Sequence, residues 1–283
     1  MNGARPRHTV WLAALASLLV ACTPVNGTDA VAGGASPTAI VQPAAGPAEH
    51  APQPIASTTA PTPPPAVTPP PEPIPTVIPP PVPGPYAINL YRDGDFVPQY
   101  TFDWCVAASI QMAHNLIDDT GGGTWSDSAQ QGELWELART RSSDSFNGAN
   151  PYGWAQVLTA SGMGPYNVVS VADYGAALQT AARAIAETGR PVGLVMWSGR
   201  HAWVMSGFES MGDPAKFQDF RVTGVNVLDP LYPYGSQQWG PSPAPNSLLT
   251  PEELATQFVV REPRRWSSQL PAGYLLVLPQ TAA

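Results

Sequence analysis

The sequence predicts an α+β domain, and three observations carry the prediction. Capped, Ala-rich segments fill residues 103 to 189, short apolar runs fill residues 192 to 278, and a proline-rich stretch lies ahead of both. Helices first and strands afterwards imply a helical first half packed on an antiparallel β-sheet second half. The first expected helix runs to about Ile117 with Asp103 as N-cap, and Asp118 to Gly123 ends it. A second spans Gln131 to Arg141. Asn150 followed by Pro151 supplies a capping residue and an N1 proline for a third, which ends at Gly162. A fourth covers Asp173 to Thr188, with Gly189 as its C-cap and Pro191 just beyond. The expected strands are Val192–Trp197, Ala202–Phe208, Phe220–Leu228 and Tyr274–Leu278, with Ser198-Gly199-Arg200 as a compact turn between the first two. One helix interrupts them from Pro251 to about Phe258, its capping box formed by Thr250 and Glu253.

Composition decides how much of the 283-residue chain folds. Of 35 prolines, 20 lie between Cys22 and Pro85, where there is no Lys, Arg or aromatic residue. Such a stretch buries too little apolar surface to offset its ordering entropy, so residues 22–85 read as a linker. Polyproline II is its natural conformation. At roughly 3.1 Å per residue, fifty residues reach about 150 Å, a semi-rigid stalk. Residues 86–283 remain as one domain of ordinary size. That segment has 11 basic against 18 acidic residues, a net charge of −7, and Lys216 is the only lysine of the chain. Without a basic cluster to neutralise phosphates, nucleic acid is excluded as a partner, and so is electrostatic attachment to anionic lipid.

Membrane attachment is therefore expected through covalent lipid alone. Arg5, Arg7 and His8 precede an apolar run from Val10 to Val20, too short to span a bilayer but suited to a signal-peptide core over residues 1–21. The run ends in Leu19-Val20-Ala21-Cys22, which resembles the bacterial lipobox. The resemblance implies lipidation of Cys22 and an extracytoplasmic, membrane-anchored domain. Cys105 then has no disulfide partner. An unpaired cysteine outside the cytoplasm suggests a reactive thiol.

The surroundings of Cys105 suit that role. It opens an apolar helix, where the positive end of the helix dipole favours a thiolate. Gln99 stands six residues earlier, so its side-chain amide and the Cys105 N–H are candidates to hold an oxyanion. Four histidines are candidates for the base. His8 belongs to the signal peptide, His50 to the linker, and His114 lies nine residues along the same helix on its opposite face. His201, at the mouth of an apolar strand, remains. Its second nitrogen needs an acceptor, and Asn226 and Asp229 both offer one. Asp229 ends its strand before Pro230 and is the preferred orienter. Trp104, Trp197 and Trp203, close in sequence to Cys105 and His201, are candidates for substrate-pocket walls. Two cysteines and four histidines without ligand spacing give no metal site, and no cofactor is implied.

In this order, Gln99, Cys105, His201 and Asp229 resemble the papain-like cysteine peptidases. They are most similar to the branch of bacteriocin-leader-processing enzymes and their secreted relatives, peptidase family thirty-nine of the cysteine class. The resemblance implies a papain-like fold, with Cys105 as nucleophile, His201 as general base and then acid, Asp229 as orienter and Gln99 as oxyanion donor. It covers residues 86 to 280. Val106-Ala107-Ala108 follows the cysteine where those relatives carry glycine, and cleavage after a double glycine is not implied. The expected function is hydrolysis of a peptide or amide bond through a thioester, on a peptide or protein substrate that includes cell-wall peptide. A non-catalytic surface binding module and a cysteine acyltransferase or transglutaminase are the alternatives on the same fold.

Overall fold

The computed structural model of the chain describes residues 81–281, apart from 119, 121–122, 144–147 and 266. The expected signal peptide, Cys22 and most of the linker lie outside the described residues. Strand β1 (Pro85–Asn89) comes first, followed by three helices, α1 (Cys105–Ile117), α2 (Ser128–Thr140) and α3 (Pro151–Ala160). Strand β2 (Tyr166–Val171) and helix α4 (Tyr174–Thr188) lead into β3 (Val192–Met196), β4 (His201–Met211) and β5 (Arg221–Leu228). A two-stranded ribbon, β6 (Gly235–Ser236) with β7 (Gly240–Pro241), precedes β8 (Ser247–Leu249), α5 (Pro251–Ala255) and β9 (Tyr274–Pro279).

The main sheet is antiparallel throughout, in the order β2-β9-β3-β4-β5-β8. Strand β4 organises it. Its first half pairs with β3, Met196 opposite His201, and its second half with β1, Pro85 opposite Met211. Strand β5 takes the other edge, with irregularities between Met205 and Gly207 and between Glu209 and Ser210. Such bulges increase local twist, and here they let one long strand serve three partners.

Period-2 alternation then divides the core between the two faces of the sheet. Leu194, Met196, Trp203 and Met205 pack with Ala177, Leu178, Ala181 and Ile185 of α4. Ala202, Val204, Leu228 and Val277 pack with Ile110 of α1, Leu134 of α2 and Trp154 and Leu158 of α3. The domain is therefore a mixed α+β structure with helices on both faces, a departure from the expected two-part arrangement. Strand β1 precedes the supposedly helical segment and β2 lies within it, while α4 covers the face opposite α1–α3.

Local chemistry explains most boundaries. Asn150 Oδ1 accepts from the N–H groups of Tyr152 (2.9 Å) and Gly153 (3.1 Å), with Pro151 at N1. Asp173 caps α4, and Gly189 ends it at φ 63. Thr250 and Glu253 form the capping box of α5. Two starts differ from expectation. Helix α2 begins at Ser128 because Asp127 accepts from the Gln130 N–H. Helix α1 is preceded not by Asp103 but by Trp104, which makes no side-chain cap bond. The Trp104 N–H closes a turn onto the Thr101 carbonyl (3.2 Å), and this turn leaves Asp103 in solvent.

Buried glutamines pin the segment ahead of α1. Gln131 Nε2 donates to the Pro98 carbonyl (3.1 Å) and to Gln111 Oε1 (2.7 Å), while its Oε1 accepts from the Tyr100 N–H (2.8 Å). Gln111 Nε2 donates to the Asp127 carbonyl and to Gln130 Oε1, both at 2.9 Å. A fully satisfied network of this kind rigidifies what it joins. Its consequence here is a fixed path for residues 98–104 into Cys105. Among the described residues no helix is long and apolar enough to cross a membrane.

One close approach tests the packing of α3 on β3. A Cβ on Gly193 meets the Trp154 ring at 2.5 Å, and both groups lie in the core. Gly193→Ala is expected to lower the unfolding free energy by about 1–3 kcal/mol, as overpacking does. Chemical denaturation measures it, and an unchanged midpoint contradicts this view of the packing.

Candidate active site

The α1 N-terminus and the start of β4 meet at one end of the sheet, and the candidate side chains Cys105, His201 and Asp229 gather there. Cys105 is a free thiol, half-buried at the first helical position. The first-turn N–H groups of a helix, that of Cys105 among them, have no acceptor within the helix. His201 opens β4 and is only 6% exposed. Its Nε2 lies 2.7 Å from Asp229 Oδ1, and the Cys105 side chain is within hydrogen-bonding reach of the same ring. Since Asp229 holds Nε2, the nitrogen left for the thiol is Nδ1.

Asp229 is fully buried one residue past the end of β5. Its Oδ1 also accepts from the Leu231 N–H (2.9 Å), which fixes the carboxylate in the turn at Pro230. Asn226, the other candidate acceptor, directs its amide to the Asn246 carbonyl (3.4 Å) instead.

Burial pushes the His201 imidazole toward the neutral form, but its hydrogen bonds to Asp229 and Cys105 and their negative charges outweigh that effect. The pKa rises from 6.5 to about 9. His201 thus lies between carboxylate and thiol, held toward its charged form.

Gln99 reaches the same place. Its backbone N–H donates to the Pro230 carbonyl (2.8 Å), which brings the loop before α1 against the turn that carries Asp229. Its side-chain amide, however, donates to the Thr101 (3.0 Å) and Phe102 (2.8 Å) carbonyls, and Oε1 is buried without a hydrogen-bond partner. Both amide hydrogens therefore go to the loop and neither to a vacant oxyanion position.

The tryptophans are placed differently from expectation. Trp203 is fully buried in the core beneath α4, and Trp104 packs against Trp135 with ring centroids 6.4 Å apart. Trp197 stacks on the His201 ring (4.2 Å between centroids, 25° between planes). None of the three lines the cleft beside Cys105. Trp154 of α3 does, in a cavity of about 150 Å³ that also contains Cys105, His201, Arg200, Arg261 and Arg264.

The turn after β3 starts one residue earlier than the sequence implied and is strained. Trp197, Ser198 and Gly199 have φ values of 55, 54 and 92, of which only the glycine's is at ease. Gln257 compensates. Its backbone carbonyl accepts from the Trp197 N–H (3.0 Å), and its Oε1 accepts from the indole Nε1–H (2.9 Å). Strain held in place by surrounding contacts is common beside reacting groups. No local pattern marks Gln257, 60 residues from Trp197, as its anchor.

Among the described residues no group of three or more His, Cys, Asp and Glu side chains is placed to hold a metal ion. His114 lies away from the cleft, stacked on Trp125 at 3.9 Å, and burial lowers its pKa.

A pH dependence follows from His201. A raised folded-state pKa contributes stability that is complete below about pH 6.5 and is lost as the pH climbs through about 9. The denaturation midpoint of the protein is expected to fall between pH 6.5 and 9.5, and His201→Gln is expected to flatten that fall. A wild-type midpoint that stays level across the range contradicts the assignment.

No protein-family model matches the chain, and no curated protein matches it.

Proposed function

We propose that the protein is a cysteine hydrolase of papain-like type, acting on a peptide or amide bond through Cys105, His201 and Asp229. The observation that carries this reading is the His201 ring, buried at the edge of a cleft, with a carboxylate on one nitrogen and a thiol within reach of the other. Nucleophile, base and orienter in hydrogen-bonded sequence are the working parts of covalent acyl transfer.

The reaction follows from these positions. With the Cys105 proton already held on His201 Nδ1, in keeping with the raised imidazole pKa, the sulfur attacks the carbonyl carbon as a thiolate. The oxyanion of the tetrahedral intermediate accepts from the Cys105 N–H at the helix N-terminus. Gln99 serves as the second donor by exchanging one of its loop carbonyls for that oxygen. As the C–N bond breaks, His201 returns the proton to the departing amine, which leaves a thioester on Cys105. Water then loses a proton to His201 and adds to the thioester; the C–S bond breaks and the sulfur leaves as a thiolate beside the protonated imidazole. Asp229 keeps the imidazole oriented and stabilises its charged form throughout. Trp197 covers the ring from outside the cleft and limits its exchange with solvent.

The same proposal places the domain outside the cytoplasm, held by lipid on Cys22 and spaced from the membrane by the proline-rich linker. Its substrates are peptides or proteins within reach of that stalk, including cell-wall peptide.

Alkylation of Cys105 by iodoacetamide, followed by peptide mapping of the full-length chain, tests the site without a known substrate. His201→Ala is expected to slow labelling at pH 6–7 by about tenfold or more, the scale of a lost general base. Cys105→Ser is expected to abolish hydrolysis of any peptide substrate found by product analysis. Equal labelling of wild type and His201→Ala points instead to a non-catalytic binding module. A product that carries an added amine in place of water identifies an acyltransferase.

A further inference from the structure

We propose that Arg200 and Arg264 form a subsite in the Cys105 cleft for a carboxylate of the substrate, either an acidic side chain or a free peptide C-terminus. The inference rests on the hydrolase reading, since the cleft is the same, and it names the substrate class.

Charge is distributed unevenly around this cleft. Among the described residues, three arginines line it and no acidic residue does, although the chain has 21 acidic residues against 13 basic ones. Arg261 has a structural task. It is buried, with Nη1 donating to the Leu270 (2.7 Å) and Pro271 (2.9 Å) carbonyls and Nη2 to the Ser267 carbonyl and hydroxyl, both at 2.6 Å. Its stem backs the turn, because a Cβ on Gly199 meets Arg261 Cδ at 3.1 Å. Arg261 thus supports the turn that presents Arg200.

Arg200 and Arg264 are not committed in this way. Arg264 donates only through Nη2, to the Ser198 carbonyl (3.0 Å) and hydroxyl (3.3 Å), so Nη1 and Nε remain available among the described residues. Arg200, exposed beside His201, makes no side-chain hydrogen bond, and neither arginine forms an ion pair among the described residues. The two are near enough to repel. Burial and then the Arg200 charge hold the Arg264 pKa below its usual value.

Two like charges on one wall, without a counter-charge, are relieved by an anion that enters between them. Arginine takes a carboxylate with two parallel N–H donors, and this geometry adds orientation to attraction. An unmodified peptide has no other anionic group to offer. The cavity of about 150 Å³ accommodates a side chain or a chain end rather than a folded partner.

Two measurements on the full-length chain test the subsite. The first compares Cys105 alkylation by iodoacetate and by iodoacetamide, with peptide mapping to separate Cys105 from Cys22. The acetate-to-acetamide rate ratio is expected to exceed that of the denatured chain by about tenfold, the scale of close, partly screened charges, and to fall with added salt. Arg200→Gln, an exposed change, is expected to lower the ratio; Arg200→Gln with Arg264→Gln is expected to lower it further, to the smaller excess that His201 and Arg261 supply. A ratio equal to that of the denatured chain, or unmoved by both variants, overturns the proposal.

The second measurement is calorimetric binding to the Cys105→Ala variant, which leaves peptides uncleaved. Acetyl-Ala-Glu-Ala-amide, acetyl-Ala-Gln-Ala with a free carboxylate, and neutral acetyl-Ala-Gln-Ala-amide are compared. One charged peptide is expected to bind more tightly than the neutral one by about fivefold or more, an advantage lost in the double arginine variant. The peptide that does so identifies the source of the carboxylate, and equal binding by all three overturns the subsite. A charged-peptide preference without His201-dependent alkylation supports the subsite and removes the hydrolase reading. The opposite pair of results does the reverse.

Discussion

The pairing of β4 with β5 is the constraint on which the rest of the site depends. Val204 lies opposite Leu228, so β5 ends beside the first residues of β4, and Asp229 emerges next to His201. A one-residue slip sends every side chain to the opposite face of the sheet. It would turn Trp203 and Met205 into the space that Ala202 and Val204 fill beneath α1–α3, so the close packing of both faces enforces the register that also builds the His201–Asp229 pair. Packing and chemistry are thus specified by the same strand contacts.

The third member, Cys105, is brought in by a different route. Helix α1 is buried along nearly its whole length, and its position on β4 follows from Ile110, Met112 and Val106 in the core beneath it. Its N-terminus is set by the glutamine network of residues 98–131 and by the Gln99 N–H on the Pro230 carbonyl. That last bond links the loop before Cys105 directly to the turn after Asp229. An apolar core positions the elements, and short polar contacts between loops position Cys105 against His201 and Asp229.

Much of this was legible in the sequence because its causes are local. Asn150-Pro151, Asp173 with Gly189, and Thr250 with Glu253 each state a helix boundary in a few residues, and each boundary is where it was expected to within two residues at the start. Asp229 before Pro230 was readable for the same reason. What failed depends on partners far along the chain. Strand β1 was hidden by the proline-rich composition around Pro85, and β2, half-buried and only six residues long, has no strict alternation. Proximity in sequence suggested Trp104, Trp197 and Trp203 as cleft walls, whereas Trp154 reaches the cleft from helix α3, far from both Cys105 and His201 in the chain. Arg261 and Arg264 face the cleft only because the segment after α5 folds back on the turn between β3 and β4. The Gln99 amide was placed correctly in the chain but not in its bonding, since its acceptors are carbonyls that only the folded loop aims at it.

The order of strands has a consequence for when the site comes into being. Strand β9, made from residues 274–279, lies between β2 and β3 rather than at an edge, and Gln257 anchors the turn behind His201. Until those residues have been synthesised and delivered, β2 has no neighbour, β3 has one free edge, and Trp197 has no anchor. Pairings so distant in sequence form late and slowly. A partly synthesised chain therefore has Cys105 and His201 but lacks the strand and the anchor that assemble the cleft around them.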